Sequence, residues 1–119
     1  MPEILILTKP ASKELVESYA RAWFGDMVKV VIDVERGVLA LGGDLHADGE
    51  QLLLADGSGQ KHLWGANVFP FRDAKDRLEY TALINIRPAQ GNRSMEVQSV
   101  LLRQEMAAIV DKLLPREAP

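Results

Sequence analysis

Residues 28–41, which read VKVVIDVERGVLAL, decide the fold. β-Branched residues alternate along the first half of this stretch, and their period of two predicts a strand. Glu35-Arg36-Gly37 supplies a tight turn with a glycine available for positive φ, and Val38–Leu41 returns as the partner strand. The stretch therefore predicts a β-hairpin, and with it an antiparallel sheet.

Two long amphipathic helices are predicted, one near each end of the chain. Ser12 is a favourable N-cap, and the apolar stripe that follows it predicts a helix over 13–24, which ends before Gly25. A second apolar stripe predicts a helix over about 95–114, which ends at Pro115. We expect both helices to pack on the sheet through these stripes.

The remaining elements are shorter. Asp48 and Gln51 have the spacing of a capping box, which predicts a short helix over 48–54. Further strands are predicted at 3–7, 63–69 and 78–86.

Strands bracketed by helices, without strict alternation, predict an α+β fold with a mostly antiparallel sheet of about four to five strands. The helices over about 13–24 and 95–114 are expected on one face of the sheet, which leaves the other face partly open. A length of 119 residues is typical of a single globular domain, here 1–119.

Composition excludes several classes of function. The chain has no cysteine, so it has no disulfide, thiolate nucleophile or cysteine-ligated metal site, and a cytoplasmic location is expected. Its longest apolar run near the start is too short for a signal peptide or a membrane span. A net charge of −3 gives no reason to expect nucleic-acid binding. We therefore predict neither a nucleic-acid nor a membrane partner.

The densest polar segment lies at 85–94, between a predicted strand and the last predicted helix. A glycine-containing loop at a helix N-terminus exposes backbone N–H groups, and arginines beside it would bind a phosphate or carboxylate. The candidate ligand-binding residues are Asn85, Arg87, Gln90, Asn92, Arg93 and Ser94. The alternative is structural: Asn92 or Ser94 caps the helix while the arginines pair with acidic residues.

A second constellation is Asp44-Leu45-His46-Ala47-Asp48. In an extended chain Asp44, His46 and Asp48 project from one face, and such a set suits a divalent cation or acid–base catalysis. Asp48, however, is already explained as a helix cap. We therefore predict no metal site, and we retain Asp44 and His46 as candidate catalytic groups.

Several short motifs occur together along the chain. They are DLHAD at 44–48, LWG at 63–65 followed by Asn67 and Pro70, NIRP at 85–88 and QGNRS at 90–94. In this combination the chain resembles a family of short bacterial proteins known only as a domain of unknown function. The likeness covers nearly the whole chain and implies a bacterial, free-standing protein. The family brings no activity, cofactor or catalytic residue to carry over.

Two classes of function remain open. The first is binding of a small anionic ligand at the 85–94 loop, with or without catalysis, and with no cofactor that the sequence identifies. The second is a non-catalytic interaction module or homodimer that uses an open sheet face or an edge strand. The two classes differ in whether Asp44 and His46 share a concave site with Arg87 and Arg93.

Overall fold

A computed structural model describes residues 2–116. The chain forms, in order, β1 (Leu5–Leu7), α1 (Lys13–Trp23), β2 (Val28–Asp33), β3 (Val38–Leu41), α2 (His46–Ala55), β4 (Leu63–Val68), β5 (Leu78–Glu79) and α3 (Val100–Leu113). This order of elements confirms the α+β prediction.

All five strands belong to one antiparallel sheet with the order β1-β3-β2-β4-β5. The predicted hairpin of β2 and β3 is confirmed, and β2 is the central strand. Asp33 holds its turn, because the Oδ1 atom accepts hydrogen bonds from the backbone N–H groups of Glu35 and Arg36, each at 2.9 Å. Its Oδ2 atom accepts a hydrogen bond from the Ser58 hydroxyl at 2.6 Å. The buried carboxylate is thereby fully engaged at the end of the central strand.

The alternation of β2 divides its side chains between two hydrophobic clusters. Val28, Val30 and Ile32 lie in the larger cluster with the buried faces of α1 and α3, which confirms the expectation that these helices share one face of the sheet. Val31 lies in a smaller cluster with Leu53 of α2. Helix α2 therefore covers part of the other face, which is consistent with the expectation that this face is partly open.

The helix boundaries differ from the predicted ones at two N-termini. Helix α1 has the predicted Ser12 cap, whose side chain accepts from the N–H of Leu15. Helix α3 instead begins at Val100 with Ser99 as its cap, five residues after the predicted start. Helix α2 begins at His46 without a side-chain cap, so the predicted capping box is wrong. Within the described residues, no helix is long and apolar enough to span a membrane.

The predicted strand over 78–86 is wrong beyond its second residue. Within 80–86 the chain makes an isolated bridge, Thr81 with Glu96, and then a 3₁₀ turn over Leu83–Asn85. The turn places the Asn85 side chain in the interior, where it is fully buried and hydrogen-bonded to Gly65 of β4. The hydrogen bonds of the Asn85 side chain therefore replace those of the strand that the alternating pattern predicts.

We predict that Gly65→Ala destabilises the protein. A Cβ atom at Gly65 would lie 2.5 Å from the Ala82 Cβ and 3.1 Å from the Cδ2 of His46, so the 82–85 segment would have to move. Overpacking of this kind costs about 1–3 kcal/mol in the free energy of unfolding. Gly59→Ala is the control, because its new Cβ would meet only His62 at 3.4 Å. Urea unfolding of both variants measures the difference, and equal stabilities would contradict the close approach.

Candidate functional site

The short strand β5 pairs with only part of the outer edge of β4. Along the rest of that edge, side chains supply the hydrogen-bond partners. The N–H of Phe69 donates to the carbonyl of Arg77 at 2.7 Å, so the odd-numbered residues of β4 direct their backbone groups to this edge. At Gly65 the partner is the Asn85 amide: the Gly65 N–H donates to Oδ1 at 2.8 Å, and Nδ2 donates to the Gly65 carbonyl at 3.0 Å. At Leu63 the carbonyl accepts from the Arg87 guanidinium.

Asn92 holds the loop that carries Asn85. Its side chain is buried, and its Nδ2 lies within hydrogen-bond distance of the carbonyls of Asn85, Ser94 and Glu96, at 2.8, 2.9 and 3.0 Å. Its Oδ1 accepts from the backbone N–H of Gln98 at 2.9 Å. The Asn92 side chain therefore connects both ends of an irregular segment and does not cap a helix.

Arg87 uses its guanidinium inside the protein. Its Nε donates to the carbonyl of Ile84 at 3.0 Å, and one terminal nitrogen donates to the carbonyl of Gln60 at 2.8 Å. The other terminal nitrogen lies 3.4 Å from the Glu50 carboxylate, and the group stacks over the Trp64 ring. Burial lowers the pKa of Arg87, and the Glu50 carboxylate opposes this effect. A guanidinium engaged in this way has little capacity left for a ligand.

The loop at 85–94 does not lead directly into a helix. Four residues separate its end from the cap of α3, so the prediction that the loop runs directly into that helix N-terminus is wrong. Gln90 donates to the carbonyl of Lys61, the N–H of Arg93 donates to Gln98, and Ser94 accepts from the N–H of Glu96. The pairing of Arg87 with Glu50 agrees with the structural alternative. The residue that caps α3 is Ser99, however, and not Asn92 or Ser94 as that alternative expected. Ligand binding by the six residues stays a prediction.

We predict that Asn85→Ala lowers the free energy of unfolding by about 2–4 kcal/mol, because the N–H and the carbonyl of Gly65 both lose a buried partner. Gln90→Ala removes an exposed amide that donates to the Lys61 carbonyl and accepts a long hydrogen bond, 3.4 Å, from Arg87. Its cost should stay below about 1 kcal/mol. Chemical denaturation compares the two variants. A loss at Asn85 no larger than the loss at Gln90 would contradict the structural role.

A separate cavity of about 410 Å³ lies between the N-terminus of α2 and the 82–84 segment. Lys29 and Asn67 lie directly opposite each other on β2 and β4, so their side chains are neighbours on the face that α2 covers. Both residues line the cavity together with His46, the first residue of α2. Apolar residues supply the other walls: Met27, Leu45, Ala47, Ala82, Leu83, Ile84 and Met95.

The polar groups of the cavity are held in defined positions. The Lys29 ammonium donates to the backbone carbonyl of Asp44 at 2.7 Å and lies over the Phe24 ring. The Nε2 of His46 lies 2.9 Å from the carbonyl of Ala66, so Nε2 carries the hydrogen and Nδ1 holds the lone pair of the neutral ring. The Nδ2 of Asn67 donates to the carbonyl of Thr81 at 3.3 Å. Its Oδ1 is buried without a partner among the described residues.

The electrostatics of the cavity favour a neutral His46. Burial lowers the pKa of His46 most strongly, and the positive charge of Lys29 lowers it further. The Ala66 carbonyl and the Asn67 side chain act in the opposite direction without reversing the shift. At neutral pH the fixed charge in the cavity is therefore the Lys29 ammonium.

Of the two candidate catalytic residues, His46 lines this cavity and Asp44 does not. Neither Arg87 nor Arg93 is among the described residues that line it. Asp44 is exposed and engages Lys29 through its backbone carbonyl. Because α2 begins at His46, the residues 44–48 do not form the extended segment on which the metal hypothesis depended. Within residues 2–116, no cluster of three or more histidines and acidic residues is arranged to hold a metal.

Lys29 and Asn67 were missed by the sequence analysis. Each stands on a strand predicted from the sequence, on the same face as Val31 or Gly65, but the sequence does not show that their strands are neighbours. One signal was available, because a lysine and an asparagine within otherwise apolar strands depart from the pattern of a fully buried face. Their contact with His46 depends on the position of α2, which the sequence does not determine.

We predict that His46 makes the stability depend on pH. Because its folded pKa lies below the reference value of 6.5, the unfolded state binds the proton more readily, and stability falls as the pH is lowered through the unfolded pKa. In a His62→Gln background, the free energy of unfolding should drop between about pH 7.5 and about pH 5.5. Adding His46→Gln should remove most of that drop. A drop of equal size in both variants would contradict the assignment.

Comparison with families of known proteins gives a match over most of the chain. A family model described as "Protein of unknown function (DUF5674)" matches residues 5–113. No curated protein matches the chain significantly. No solved structure matches it significantly either.

Proposed function

We propose that this chain, which belongs to the DUF5674 family of proteins of unknown function, binds a small ligand in the cavity beside His46. The ligand has an apolar body and one anionic group of the carboxylate type. The observation that carries the proposal is the convergence of Lys29, His46 and Asn67 in a cavity whose other walls are apolar. Binding sites for small molecules commonly combine apolar walls with a few placed polar groups.

The anionic group is assigned to the end of the cavity that holds positive charge. Lys29 supplies an ammonium there. Leu45, the residue before α2, and His46 and Ala47, its first two residues, line the cavity, and no side chain caps the helix. The first backbone N–H groups of a helix attract anions when they are uncapped. A carboxylate at this end would therefore have donors from both the side chain and the backbone.

The apolar body is assigned to the outer part of the cavity. Leu45 and Leu83 are more than half exposed, and Met95 is 41% exposed, although each lines the cavity. Burial of this apolar surface by a ligand would be favourable. A volume of about 410 Å³ is within the usual range for small-molecule sites.

The sequence had placed an anionic ligand at the 85–94 loop. The ligand class is retained here and its location is changed, because the donors of Arg87 already bond to the protein. Asp44 and His46 stay candidate acid–base groups without an assigned reaction. A bacterial origin, a cytoplasmic location and the absence of a nucleic-acid partner likewise stay predictions.

The test is an NMR titration of the labelled protein with hexanoate and with the neutral analogue hexanamide. Hexanoate should shift the backbone signals of Lys29, His46 and Leu83, and hexanamide should bind more weakly. Lys29→Met should weaken hexanoate binding about tenfold, because a charge-assisted hydrogen bond is worth about 1.5–3 kcal/mol. Lys112→Met is the matched control, since it removes the same charge from an exposed position on α3.

Two results would contradict the proposal. If hexanoate shifts signals of Arg93 and its neighbours while Lys29 is unaffected, the site is the loop predicted from the sequence. If neither probe shifts the signals around the cavity, the proposed ligand class is wrong.

A further inference from the structure

The edge strand β1 has unpaired backbone groups on its outer side. The N–H of Gly42 donates to the carbonyl of Lys29, so even-numbered residues of β3 face β2, and Leu39 and Leu41 face β1. Their partners Leu7 and Leu5 therefore direct their backbone groups to β3. Ile6, between them, directs its N–H and its carbonyl away from the sheet.

Apart from its length of three residues, the strand itself lacks the features that usually prevent pairing. Edge strands are commonly protected by charged side chains, proline or a covering element. Residues 4–7 read ILIL, and all four are only partly buried although they pack against the two hydrophobic clusters. The charged residues stand just outside the strand, Glu3 on one side and Lys9 on the other, and both are exposed.

We propose that β1 pairs with β1 of a second copy of this chain, antiparallel and centred on Ile6. In this register Ile6 opposes Ile6 of the partner subunit. Thr8 and Lys9 form a bend after β1, and when pairing extends the strand through them, Glu3 opposes Lys9 of the partner subunit. The pairing is consistent with the outward direction of the Ile6 groups, because Ile6 would exchange both hydrogen bonds with its counterpart. The residues that flank the strand carry complementary charges, so a second copy matches it without any other partner.

The two-fold axis of such a pair is perpendicular to the sheet, so the two five-stranded sheets join into one and α2 of both copies lies on the same side. On that side Ile4, Trp23 and Leu52 line a groove beside β1, and Leu52 is 37% exposed. The pairing would cover apolar surface there as well as satisfy the strand edge. This inference is independent of the ligand cavity.

Exchange of the two charges tests the register. Sedimentation equilibrium should find a dimer for the wild-type chain. Glu3→Lys and Lys9→Glu should each weaken dimerisation about tenfold, because both cross-strand pairs become repulsive. The double variant should recover the wild-type affinity. Glu105→Lys is the control, since it reverses a charge on the exposed surface of α3 and should have no effect.

Disulfide formation tests the same register independently, since the natural chain has no cysteine. Opposed residues of a hydrogen-bonded pair have Cα atoms about 5.5 Å apart, which a disulfide can bridge. Ile6→Cys should therefore cross-link on oxidation, and so should the double variant Ile4→Cys/Thr8→Cys, whereas Thr8→Cys alone should not. A monomeric wild-type chain at millimolar concentration would overturn the proposal. A dimer whose affinity ignores the charge exchange would overturn it too.

Discussion

The two hydrogen bonds between the Asn85 amide and the Gly65 peptide determine how the second half of the chain is placed. A peptide in the interior of a sheet needs a donor and an acceptor, and the Asn85 side chain supplies both where β5 has ended. The contact requires a glycine on the strand, because a Cβ atom there would collide with Ala82. Asn92 and Arg87 then hold the loop that carries Asn85. Together these three polar side chains replace the continuation of β5 along the edge of β4.

The same constraint creates the cavity. Holding Asn85 against Gly65 brings the 82–84 segment to the face of the sheet beside the first turn of α2. Asn67 then lies one alternation beyond Gly65 on β4, opposite Lys29. The polar residues at 85–92 thus hold one wall of the cavity in place without lining it, and the polar groups inside the cavity come from other elements. The dense polar motif and the proposed binding site are adjacent without being identical.

The parts of the fold that depend on local pattern could be predicted from the sequence. The hairpin of β2 and β3, helix α1 and its Ser12 cap, and the shared face of α1 and α3 follow from periodicity and capping. The start of α3 could not be read, because residues 95–99 fit a helical stripe but are held extended by Asn92. The alternation over 78–86 resembles a strand, yet a buried asparagine amide outcompetes it. The cavity was missed because it joins residues far apart in the chain.

The most direct test of this account is hydrogen exchange at the backbone amide of Gly65. An open strand edge would let this amide exchange through local fluctuations, whereas a buried bond to Asn85 restricts exchange to global unfolding. The account predicts that the Gly65 amide exchanges as slowly as the amide of Val30 in the central strand. Exchange at the rate of an exposed loop amide would contradict it, and would show that the 85–94 segment does not hold the edge of β4.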